Sequence, residues 1–124
     1  MFPVEPEALV HRIGGATLDR LRPNAIDRLA IPPGISVLLY EPAEEASQRM
    51  KLEYGDSKKW KKLAGIVATS TAARIAATGF SVIEAPTHTF PNHGRIIHPE
   101  GIAAFTGDNL ERLSEAFATA EEFQ

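Results

Sequence analysis

The 124-residue chain contains no cysteine, which excludes disulfides and every chemistry that needs a thiolate. Only His, Asp and Glu remain as strong side-chain metal ligands, and the redox compartment stays open. No apolar run approaches the roughly 18–20 residues that a bilayer-crossing helix needs. The opening MFPVEPEALV has neither the basic nor the apolar stretch of a secretory leader. The expectation is therefore a protein with no signal peptide and no anchor, acting by default in the cytoplasm. Positive charge is also scarce. Thirteen Lys and Arg against sixteen Asp and Glu give a net charge of −3 and a pI near 5.8, so no global field draws nucleic acid to the surface.

What is present is enough for one core. A hydrophobic content of 44% over 124 residues predicts a single domain, residues 1–124. The one dense basic stretch is KKWKK, residues 58–62. Read as a helix, it turns Trp60, Leu63, Ala64 and Val67 inward at i, i+3, i+4 and i+7. The lysines then form a solvated face or a patch for an acidic or phosphate-bearing partner.

ALVHRI reads as a short strand, and Gly14-Gly15 after it allows a tight turn or a close approach of backbone to a ligand. LRPNAIDRLA predicts a short helix with Ile26 and Leu29 on its buried side, broken by IPPG. GISVLLY, bounded by prolines, predicts a central strand. EPAEEASQRMKLEY predicts a helix with Pro42 at its first position, Glu44 and Glu45 complementing the helix dipole, and Ala43, Ala46 and Met50 buried. IVATSTAARIAATGF reads as a helix stopped at Gly79, with Ser70 or Thr71 as its candidate cap. FSVIEAP and RIIH read as strands that pair as a hairpin across THTFPN. The last helix is expected from Asp108, with Glu111 three residues on in a capping-box-like start, and a stripe of Leu110, Leu113, Phe117 and Ala120. This order predicts an α+β fold, with helices on a small mixed or antiparallel sheet.

Three of the four histidines fall in PTHTFPNHGRIIHPEG, at positions 88, 93 and 98. A spacing of five sets successive residues on opposite sides of a strand and far apart around a helix, and no acidic partner sits at ligand spacing, so no metal site is expected. Asn92, His93, Arg95 and His98 instead supply donors for an anion, around Gly94 and between Pro91 and Pro99. The same residues could equally satisfy backbone carbonyls in a structural loop.

Two resemblances follow. HPEGIAAFTGDNLERLSEAF is similar to the middle of the HNH endonuclease motif, with His98, Asp108 and Asn109 in the matching positions, but no histidine follows to complete it. A broader resemblance joins His11-Arg12 on an early strand, Gly34-Ile35-Ser36-Val37 on a strand leading into an alanine-containing helix, and His93 to Pro99 late in the chain. This order resembles ADP-ribosyltransferase-type folds, especially small intracellular toxins such as type VI secretion effectors. The resemblance implies an ADP-ribosyltransferase-like fold and cleavage of NAD at its nicotinamide–ribose bond. It implies catalytic roles for Ser36, His93, His98 and Glu100, the last as candidate for the family's late glutamate, and NAD contacts from Arg12, Gly14, Asn92 and Arg95. A cognate antitoxin or immunity protein and a macromolecular acceptor would be the partners, with action in the cytoplasm or in a cell into which the protein is delivered. The alternatives are a non-catalytic partner-binding protein, such as an antitoxin, immunity protein or adaptor, and, third in order, a degenerate HNH-like nuclease.

Overall fold

The computed structural model describes residues 3–117 and 119–123. Its centre is a six-stranded antiparallel sheet in the order β4-β5-β2-β1-β3-β6. The strands are β1 (Leu9–Ile13), β2 (Ile35–Leu39), β3 (Ile66–Thr71), β4 (Ser81–Glu84), β5 (His93–Ile97) and β6 (Thr119–Glu122). GISVLLY provides β2, which has a partner on each side, as its unbroken apolar run predicts. SVIE pairs with β5 as a hairpin, from Ser81 opposite Ile97 to Glu84 opposite Gly94. Gly94 has no room for a side chain, since a Cβ there would lie 2.6 Å from Leu39 Cδ1 and 2.7 Å from the Ile83 carbonyl.

Strand alternation sends side chains to two separate apolar layers. One face carries Val10, Val37, Leu39, Ala68 and Ile96, covered by Leu21 of α1 (Leu18–Leu21), Ile75 of α5 (Ala72–Ala76) and Leu110 and Leu113 of α6 (Gly107–Ala116). The other carries Ile13, Leu38 and Val67 under Ala46 of α3 (Ala43–Tyr54), with Trp60 of α4 (Lys58–Leu63) and Phe90 packed alongside. Val10, Ile35, Leu39, Ile75, Ile96 and Leu113 are wholly buried, each contributing about 1.5–3 kcal/mol by its removal from water.

Four expectations are corrected. IVATSTAARIAATGF is not one helix: Ile66–Thr71 form β3 between β1 and β6, and only Ala72–Ala76 are helical, begun by Thr71, whose hydroxyl accepts from Arg74 N at 3.2 Å. Alternating β-branched residues, together with open edges of backbone donors on both sides, outweigh the alanine-rich sequence that follows. For the same reason Val67 leaves the predicted Trp60 helix, which ends at Leu63.

Ile26 and Leu29 face solvent, 74% and 81% exposed. Helix α2 (Ala25–Leu29) is held from its polar side by an Asn24–Asp27 capping box, and Asp27 is the residue it buries. At the C-terminus, α6 starts after Thr106 without a side-chain cap, and Ala120 lies in β6 opposite Ala68 rather than on the helix.

Candidate functional site

β1 and β2 are paired over only Val10–Leu39 and His11–Leu38. Past that point the ladder opens, and the Arg12 side chain occupies the gap. Arg12 Nη1 donates to the Ser36 carbonyl at 2.7 Å, while Nη2 and Nε donate to the Arg20 carbonyl at 2.5 and 3.1 Å. A carbonyl of the splayed strand β2 and one of helix α1 are thereby satisfied. The pleat starts Arg12 on the Val10 side of the sheet, opposite Ser36 and His93, and the open ladder lets its guanidinium reach theirs. Burial, and then the nearby Arg20 charge, lower its pKa to about 10, with Asp27 acting in the opposite sense.

This gap forms one end of a cavity of about 730 Å³ on the α3–α4 side of the sheet, within the range of small-molecule sites. Arg12, Ser36 and His93 all line it, joined by Arg20, Asp27, Tyr54, Lys59, Trp60 and Phe90. Tyr54 bridges the aromatic wall, with its ring centroid 6.3 Å from Trp60 and 5.9 Å, stacked, from Phe90.

His93 lies on β5, opposite Leu38 of β2. Its Nδ1–H donates to the Ala85 carbonyl at 2.7 Å, which fixes the tautomer and leaves the lone pair on Nε2. Burial lowers its pKa below 6.5, aided by Arg95 and opposed by the Ala85 bond and Asp27. The ring is thus a neutral acceptor at neutral pH. Two residues of β5 further along, Arg95 faces Ser36 across the ladder, donates to the Gly34 carbonyl at 2.9 Å and lies 3.8 Å from Asp27. Asp27, 5% exposed, is the buried carboxylate of the cavity wall.

The other sequence candidates lie outside the cavity lining. Arg95 reaches the lining through its contact with Asp27, and Asn92 contributes its carbonyl to Leu39 N at 2.8 Å. Gly14 does not approach the cavity with its backbone; it makes room for Arg20, since a Cβ there would lie 2.6–3.0 Å from the Arg20 guanidinium, and its φ of +90° also favours glycine. His98 packs edge-on against Phe80, 4.9 Å between centroids, with Nδ1 accepting from Glu100 N at 3.0 Å. Phe80 belongs to the α5–α6 layer, so His98 and exposed Glu100 are separated from His93 by the sheet. Asn109 of the nuclease-like segment accepts from Arg112 at 2.5 Å on α6. No group of three or more His, Asp or Glu among the described residues is placed to hold a metal ion.

Sequence reasoning overlooked Arg20, Asp27, Tyr54 and Phe90 as site residues, and reached Lys59 only as one lysine of the KKWKK patch. For Asp27 the N-A-I-D spacing signals a helix cap, and only the fold turns that cap toward Arg95 and His93. No helix among the described residues is long and apolar enough to cross a membrane. No protein-family model, curated protein or solved structure matches the chain.

Proposed function

We propose that the protein is a toxin-like enzyme that cleaves NAD, either transferring ADP-ribose to an acceptor or hydrolysing it, on an ADP-ribosyltransferase-like fold. The observation that carries this reading is the shared cavity: Arg12, Ser36 and His93, drawn from three separate stretches of chain, line one space of suitable volume. That space offers guanidinium donors and an aromatic wall, the pair of surfaces that a nucleotide needs.

In this reading the C1′–N bond to nicotinamide breaks and the departing ring takes the bonding electrons. The oxocarbenium-like centre left on the ribose is captured by water or an acceptor nucleophile, which gives up a proton. The His93 Nε2 lone pair is the acceptor for that proton, and the Ser36 hydroxyl, which has no hydrogen bond to protein among the described residues, is free to orient the ribose. Asp27, rather than Glu100, supplies the carboxylate that steadies positive charge, because Glu100 lies outside the lining and Asp27 within it. Catalysis of this kind rests on positioning and preorganised charge.

The test is incubation of purified protein with NAD and quantification of free nicotinamide, with a bacterial extract as acceptor source. Wild type is expected to release nicotinamide, and His93→Gln to slow release by about 100-fold or more, at an unchanged melting temperature. Folded wild-type protein that releases none sinks the reading. The biological part, action in the bacterial cytoplasm countered by a cognate antitoxin or immunity protein, predicts growth arrest on expression that His93→Gln relieves.

A second reading is favoured by one observation. Ile26, Leu29 and Ile31 are 74%, 81% and 92% exposed, and Ile26 also borders the cavity. Exposed aliphatics grouped this way mark a protein-contact surface, as a non-catalytic binding protein would have.

A further inference from the structure

The cavity wall is not electrically balanced. Asp19 lies 3.7 Å from Arg22, and Asp27 lies 3.8 Å from Arg95. Arg12, Arg20 and Lys59 line the same cavity with no carboxylate within 4 Å among the described residues. Like charges gathered in a partly buried site repel one another, and a site of this kind is stabilised by an anion that fills it.

The three cations are not equivalent. Arg12 spends three of the five guanidinium N–H donors on the Ser36 and Arg20 carbonyls; it is chiefly a strut. Arg20 is nearly uncommitted. Among the described residues its one protein hydrogen bond is Nη2 to the Ile13 carbonyl at 3.2 Å, Nη1 makes none, and Nε is buried with no acceptor. The guanidinium is nevertheless held in place. It lies against Gly14, where a Cβ would collide with it, and 5.8 Å from the centre of the Trp60 ring, with Lys59 at 5.6 Å from the same ring. A flat cation fixed by packing, with its donors unspent, is preorganised for an oxyanion.

We propose that Arg20 and Lys59, seated on Trp60, form a diphosphate subsite, and that the ligand of the cavity is a nucleoside diphosphate or a compound containing one, its base set against the Tyr54–Phe90 wall. Two to three unpaired cations match the two to three negative charges of a diphosphate. The neighbouring aromatics explain why the anion comes attached to a ring system. The inference rests on the reading of the cavity as a nucleotide site, and is independent of whether NAD is cleaved there. It assigns the principal phosphate contact to Arg20 and leaves Arg12 a positioning residue for the Arg20 segment.

Trp60 is the chain's single tryptophan, so its fluorescence reports occupancy. Inorganic pyrophosphate, ADP and adenosine are titrated separately into the full chain by fluorescence and by calorimetry. ADP and pyrophosphate are expected to bind saturably and more weakly as salt rises, and adenosine at least tenfold more weakly than ADP. Arg20→Met should weaken ADP at least tenfold by calorimetry, with Arg20→Lys intermediate because it keeps the charge and loses the fork. Lys59→Ala, a change at an exposed side chain, should weaken ADP several-fold and guards against a folding defect at position 20. Wild type that binds neither anion, or ADP affinity unchanged in Arg20→Met and Lys59→Ala, overturns the proposal. NAD cleavage with unaltered KM in Arg20→Met removes this inference and leaves the cleavage reading standing. Arg20-dependent ADP binding without NAD cleavage does the reverse.

Discussion

His93 shows how burial and one hydrogen bond decide what a side chain can do. A bond from Nδ1 to the Ala85 carbonyl and a desolvated ring keep it neutral with Nε2 as acceptor. His11 is lowered too, chiefly by burial, while its Nε2 contact with the Glu41 carbonyl, Glu41 itself and Glu121 oppose the shift. Below pH 6.5, the ordinary value for both, the unfolded chain binds protons that the folded chain refuses. Their contribution to stability is therefore full above pH 6.5 and declines as the pH falls through and below it. Urea midpoints should be level from about pH 7 to 8 and fall toward about pH 5, with a smaller fall in His93→Gln; an equal fall in that variant would assign the loss to other groups. At this scale strand and loop signals placed Arg12, Ser36 and His93 on their elements, and the family resemblance made Arg12 and Ser36 site candidates. Arg20 was not legible: it stands in a polar connection, and nothing in LDRL distinguishes a solvated arginine from one packed against a tryptophan 40 residues on.

Elements were legible where local pattern and tertiary demand agree. The strands LVHRI and ISVLL, helix α3 and the β4–β5 hairpin all combine a clear period with turn residues at their ends. They diverge at α2, where a reading by hydrophobicity buries Ile26 and Leu29, whereas the capping box and the Asp27–Arg95 contact bury the polar side. The energetic consequence can be measured. Leu29→Ser should change unfolding stability by no more than about 0.5 kcal/mol, whereas Leu113→Ala, in the closed layer under α6, should cost about 2–5 kcal/mol. Chemical denaturation of the two variants checks both figures, and a large loss from Leu29→Ser would mean that α2 packs inward. β3 diverges for another reason: its β-branched Ile66, Val67, Thr69 and Thr71 run straight into the alanine-rich Ala72–Ala76 with no break between them, and the vacancy between β1 and β6 selects the strand for the first six residues.

For the whole molecule, one sheet is the shared wall of both apolar layers, with Val10 facing one and Ile13 the other along the same strand. Neither layer can lose its strands without exposing the other, so unfolding should be a single cooperative event. Trp60 fluorescence samples the α3–α4 side and far-ultraviolet circular dichroism samples all elements. Their denaturation midpoints should coincide, and separated midpoints would show that the layers unfold independently. The same partition sorts the late histidines, because consecutive stretches of one strand and its exit face opposite ways. His93 joins the cavity and His98 joins Phe80 on the far side.

The sequence by itself determined the class of the fold: apolar periods, proline and glycine boundaries and one core's worth of hydrophobic residues permit little besides helices on a small sheet. It also excluded thiolate chemistry outright, since no cysteine is present. Which polar residues meet was decided by tertiary structure alone, because an open ladder between β1 and β2 admits the Arg12 side chain, and a glycine at position 14 seats Arg20. Both depend on partners distant in the chain, and local spacing carries no record of them.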